Sequence, residues 1–64
     1  MTDRERDAVR VYVLAEYGHR GARLVRIEFD GAVSLRTDDC PLARIFVGWD
    51  RDLLAESRRP EGGR

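Results

Sequence analysis

"DRERDAVRVYVLAEY", residues 3–17, decides the fold, because it reads two ways. At period two, Val9, Val11, Val13, Ala15 and Tyr17 share a face, and the β-branched valines favour a strand. Read as a helix, both ends are marked. Thr2 can cap, Glu5 stands at the third helical position as the other half of a capping box, and acids fill the first turn. Gly18 follows Tyr17, where a left-handed residue is wanted. Asp3, Arg6, Asp7 and Arg10 then form a polar stripe opposite Ala8, Val9, Tyr12, Val13 and Ala15, with Glu16 falling inside the apolar arc. Two terminal signals outweigh the propensity of the valines, and the spacing predicts a helix. A helix here must lie across a sheet built by the rest of the chain.

That sheet begins after the glycine-bounded loop "GHRGAR" (18–23), with a strand over 23–29 in which Val25, Ile27 and Phe29 alternate with Leu24, Arg26 and Glu28. Asp30-Gly31 then turns the chain. A two-residue loop would pair Ile27 with Ser34 and Val25 with Arg36, scattering the apolar residues over both faces. Side-chain parity cannot be repaired locally, since a one-residue slip turns a whole strand over. A three-residue loop, Phe29-Asp30-Gly31 with Gly31 left-handed, sets Ile27 opposite Val33 and Val25 opposite Leu35. Core burial selects that loop.

"TDDCP" (37–41) reads as a loop, and "ARIFVGW" (43–49) as a third strand with Ile45, Val47 and Trp49 on one face and Phe46 on the other. A strand apolar on both sides is central in its sheet or pressed against a second layer. Asp50 can cap a short helix through about Ser57, with Leu53 and Leu54 inward. "RRPEGGR" (58–64) lacks an apolar anchor and reads as a flexible tail after a single domain over 1–57. The expected fold is α+β: an N-terminal helix packed on a three-stranded antiparallel sheet, with a short C-terminal helix.

Sixty-four residues hold one small core, burying about 60% of the surface the unfolded chain exposes. One cysteine, Cys40, cannot pair within the chain, so a homodimer is the most direct remedy for short stability. Twelve arginines balance twelve acids, and there is no lysine. That balance lacks the basic excess of a dedicated nucleic-acid binder and the acidic excess of a DNA mimic. No apolar run approaches the roughly 20 residues of a membrane span, and one unpaired cysteine suits a reducing, cytoplasmic setting.

Cys40 with His19 lacks the orienting group and oxyanion site that nucleophilic catalysis needs. Glu16 and His19 are half of a carboxylate–histidine metal arrangement whose other half is missing, so no metal or cofactor is expected and the chain reads as non-enzymatic. Asp38, Asp39, Asp50 and Asp52 flank the third strand, either as a patch for a basic surface or as solubilising loop and capping residues. Arg20, Arg23, Arg26 and Arg36 gather on the first loop and the outward side of the sheet, where they could meet phosphate or a partner's carboxylates. Phe46 and Trp49 are the large hydrophobes of the C-terminal half. If one face of the sheet lacks cover, an aromatic patch rimmed by arginine has the composition of a protein-binding hot spot.

From residue 30 to 54, the order "DGAV…P…IFVGWDRDLL" resembles small uncharacterised proteins of phages and other mobile elements. Those carry a D-G-x-V hairpin, a proline, an aromatic F-V-G-W segment and an acidic start to a short helix. The stretch after the hairpin departs from that pattern, reading "RTDDCPLAR" where those proteins are richer in Asn and Gly. The resemblance implies a non-enzymatic inhibitor, such as an anti-CRISPR protein, that binds a host protein and works by steric occlusion. Arg20, Arg23, Arg26, Arg36, Phe46 and Trp49 are the expected contacts. The alternative is a small nucleic-acid-binding regulator using the same arginines.

Overall fold

The computed structural model describes residues 1–59, and residues 60–64 of the expected tail lie outside it. The element order is α1 (Asp3–Glu16), a single 3-10 turn (Gly18–Arg20), β1 (Arg23–Ile27), β2 (Ala32–Thr37), β3 (Cys40–Trp49) and α2 (Asp50–Ser57). The three strands form one antiparallel sheet in the order β1-β2-β3. The expected α+β architecture is the one observed.

The capping box explains why residues 3–16 are helical despite their valines. The Glu5 N–H donates to Thr2 Oγ1 (3.2 Å), and the Thr2 N–H donates to Glu5 Oε1 (2.9 Å). Two donors that a helix start leaves unsatisfied are thus closed by the side chains that follow. The other end differs from expectation. Tyr17 caps α1, and the left-handed glycine is Gly21 (φ 70°), which closes the 3-10 turn with its N–H on Gly18 O at 3.0 Å.

The hairpin has the three-residue loop. Ile27 pairs with Val33, the Gly31 N–H donates to Glu28 O (3.0 Å), and the Glu28 N–H donates to Ala32 O (2.8 Å). Gly31 has φ 98°, and Asp30 Oδ1 accepts the Ala32 N–H at 3.1 Å, so the side chain holds the bulge that the backbone makes. β1 ends at Ile27 rather than 29, and a bulge between Arg23 and Arg26 puts Leu24 at φ 48°.

Among the described residues the core is six apolar side chains: Val9 and Val13 of α1, Val33 and Leu35 of β2, and Leu53 and Leu54 of α2. Tyr12, Val25, Ile27, Ile45 and Val47 pack around it half-buried. Of the expected apolar arc of α1, Ala8 and Ala15 are exposed. α2 lies beside α1 on the same side of the sheet, and the Cα frame is 35 × 28 × 16 Å. The shortest dimension has room for two layers, helices over sheet.

Two readings of the second half are corrected and one alternative is decided. Residues 37–41 are not a loop: Thr37 pairs with Cys40 across a two-residue turn, Asp38-Asp39, and β3 starts at Cys40 rather than 43. Of the two places its pattern allowed, β3 takes the second, as an edge strand whose Ile45 and Val47 press against the core. Trp49, not Asp50, occupies the cap position of α2, without a side-chain cap bond, and the Asp50 N–H is satisfied by Gly31 O at 2.8 Å. No helix of the described residues is long and apolar enough to cross a membrane.

Candidate functional site: the open face of the sheet

Both helices sit on the side of Val33, Leu35 and Thr37, so the opposite side of β2, carrying Ala32, Ser34 and Arg36, faces away from them. Cross-strand partners in an antiparallel sheet share a face. The pairings Arg26↔Ser34↔Phe46 and Ala32↔Trp49 therefore place Arg26, Phe46 and Trp49 on this open side. α2 does not cover it.

Trp49 reaches the open face through a bulge. Val33 pairs with Gly48 while Ser34 pairs with Phe46, leaving Val47 as the extra residue. Gly48 takes φ 150°, and the alternation inverts there. Trp49, expected beside Ile45 and Val47, instead joins Phe46. The two rings meet edge to face, centroids 5.4 Å apart and planes at 71°. Edge-to-face contact suits the ring quadrupoles and holds both side chains in place. Phe46 is 57% and Trp49 48% exposed, so about half of each ring remains for something else to cover.

The arginines are less free than their number promises. Arg20 pairs with Asp39 (3.4 Å), Arg23 with Asp38, and Arg26 with Glu28 (3.5 Å). Two of the acids that frame the third strand are thus spent on two arginines of the first loop and β1. Asp39 also accepts from the buried Thr37 hydroxyl, and that hydrogen bond, seconded by Arg20, holds its carboxyl below the ordinary value. Asp38 and Asp39 therefore form one end of the fold, apart from Asp50 and Asp52 at the start of α2. Arg36 is the exception among the four arginines. It is half-buried, has no ion pair among the described residues, and its Nε is shielded from solvent without a hydrogen-bond partner.

His19 is exposed on the 3-10 turn, and Cys40 is half-buried at the start of β3. Among the described residues no three His, Cys, Asp or Glu side chains converge in a way that would hold a metal ion. Sequence reasoning missed two apolar surfaces. Phe29, at the tip of the first hairpin, and Leu42, in β3, are fully exposed. A shallow apolar groove of about 490 Å³ also runs along the outer side of α1, past Ala8, Val11 and Ala15. Val11 was visible as the valine that the helical arc leaves out.

No family model, no curated protein and no solved structure matches the chain. The open face is therefore read from its own chemistry.

Proposed function

We propose that the chain is a non-enzymatic protein-binding module that covers part of a host protein with the open face of its sheet. The observation that carries this reading is the half-exposed Phe46–Trp49 pair on a sheet face that neither helix roofs. Rigid aromatics lose little conformational freedom on binding and dominate interface energetics, particularly when water is excluded around them. Arg36 and Arg26 border the pair on the same face. Arg36, with no carboxylate of its own among the described residues, supplies the charge that orients a partner bearing an acid opposite it. Arg20 and Arg23, engaged with Asp39 and Asp38, hold the fold's end and contribute less to the contact.

Steric occlusion is the mode that fits a chain of this size, and the resemblance of residues 30–54 to mobile-element proteins makes an inhibitor of the anti-CRISPR kind the finer reading. Nucleic-acid binding has less support. Three of the four arginines are paired, formal net charge is zero, and the aromatics lie edge to face rather than as parallel platforms for bases.

The test is capture from a host lysate by tagged variants. Trp49→Ala and Arg36→Glu are expected to lose the captured protein, each by about 2 kcal/mol or more if the residue is a hot spot. Val11→Asp, on the opposite layer, keeps it. Equal capture by all three overturns the assignment of the face. Retention on DNA that falls steeply between low and moderate salt supports the nucleic-acid alternative instead.

A further inference from the structure

Where the start of β1 meets the end of β2, two arginines stand side by side. Arg23 and Arg36 are cross-strand partners, so two like charges share one face. Such a pair costs stability unless something neutralises it. Asp38 does so for Arg23. Arg36 has neither an ion pair nor a side-chain hydrogen bond among the described residues. Its Nε is already out of water, so part of the cost of dehydrating the guanidinium is met before any ligand arrives.

A second irregularity lies beside the first. Arg23 pairs with Arg36 and Arg26 with Ser34, so β1 carries one residue more than β2 there, and Leu24 takes φ 48°. A bulge that needs the left-handed region ordinarily has a glycine in it. A leucine in that conformation is strained, and this one is 65% exposed, so burial in the core is not what holds it. Leu24 instead lines a pocket of about 240 Å³, together with Pro41, Arg23, Arg36 and Asp38.

We infer that this pocket receives a carboxylate on a short aliphatic stem, a glutamate side chain of the host protein. Charge selects a monoanion, because two arginines against one aspartate leave a single positive charge to match. A phosphate group, nearly doubly charged, would bring surplus negative charge beside Asp38. The planar fork of a carboxylate fits the terminal nitrogens of Arg36, and its methylenes fit against Leu24 and Pro41. The source of the carboxylate rests on the protein-binding reading above; the pocket itself does not.

The experiment titrates the isotope-labelled full chain at neutral pH with N-acetylglutamate α-amide, against chloride and inorganic phosphate at equal ionic strength. The arginine Nε–Hε and the Thr37 and Asp38 backbone amide signals are followed by NMR. Shielding from solvent keeps the Arg36 Nε proton visible, and Arg36→Gln identifies its signal. The expected result is a saturable shift, half complete at about 1–10 mM glutamate probe. By the amide signals, Arg36→Gln weakens binding about tenfold, whereas Arg44→Gln, an arginine of β3 outside the pocket, leaves it unchanged. Leu24→Gly is expected to raise the melting temperature, since glycine takes this φ freely, yet to weaken binding about threefold by removing a wall. A response no larger than chloride gives overturns the proposal. So does phosphate binding as tightly as the glutamate probe, or equal loss in the two arginine variants. No host protein enters these titrations, so failure here leaves the Phe46–Trp49 capture test standing, and failed capture leaves the pocket.

Discussion

Thr2 and Glu5 carry the decision between helix and strand, and their contribution can be measured. Thr2→Ala removes the acceptor for the Glu5 N–H and is expected to cost about 1 kcal/mol in chemical denaturation. The same box makes the fold acid-sensitive. The hydrogen bond from the Thr2 N–H is the largest influence on Glu5 and holds its carboxyl below the ordinary value, as Thr37 does for Asp39. A carboxyl that titrates lower in the fold than in the unfolded chain stabilises above its unfolded pKa, and that contribution disappears as pH falls through the folded value. Stability is therefore expected to decline below about pH 4, and a melting series on Glu5→Gln with Asp39→Asn should show a shallower acid limb than wild type. The capping box was legible in the sequence because its partners are three residues apart. The ion pairs Arg20–Asp39 and Arg23–Asp38 were not, because they join positions that only the folded sheet brings together.

At the scale of elements, the first hairpin was legible and the second was not. Asp30-Gly31 names its turn, and the parity of Val25, Ile27, Val33 and Leu35 chooses among the loops such a turn allows. Gly31→Ala tests that choice: φ 98° disfavours any side chain, and a Cβ there would stand 3.0 Å from Asp50 Oδ1. A loss of about 1 kcal/mol or more is expected by denaturant titration. Asp38-Asp39 carries no comparable signal; the turn is held by neighbours from β1 and the 3-10 segment, so a local reading sees a loop. Gly48 did carry one, since an isolated glycine in a strand marks a bulge, and reading it so would have moved Trp49 to the open face. Among the described residues two side-chain hydrogen bonds tie the helical segments, Arg58 at the C-cap of α2 to Glu5 (3.5 Å) and one with a clear readout. The Tyr12 hydroxyl donates to Glu56 Oε1 at 2.9 Å, which raises the phenol's pKa above the ordinary value. Tyr12→Phe is expected to cost about 1 kcal/mol or less, this being an exposed bond, and to lessen the loss of stability that wild type shows above about pH 10.

For the molecule as a whole, six buried apolar side chains among the described residues leave little margin. A chain of this length has a stability of about 3–10 kcal/mol, and emptying the Leu35 site costs about 2–5 kcal/mol. Leu35→Ala is accordingly expected to lose most of its cooperative thermal transition, seen by circular dichroism, while Leu42→Ala, at a fully exposed position, leaves it in place. The layer order followed from composition and periodicity, because a single small core admits few arrangements of two helices and three strands. Strand order also follows from short connections. The edge position of β3 was not legible in its own pattern, because a strand apolar on both sides suits either the middle of a sheet or a place against a second layer. The position of Trp49 has a practical corollary. As the one indole in the sequence, half in water on the face where a bound molecule would settle, it is a built-in optical probe. Occupation of that face would dry the ring and move its emission to the blue, so binding could be followed by titration without attaching a dye.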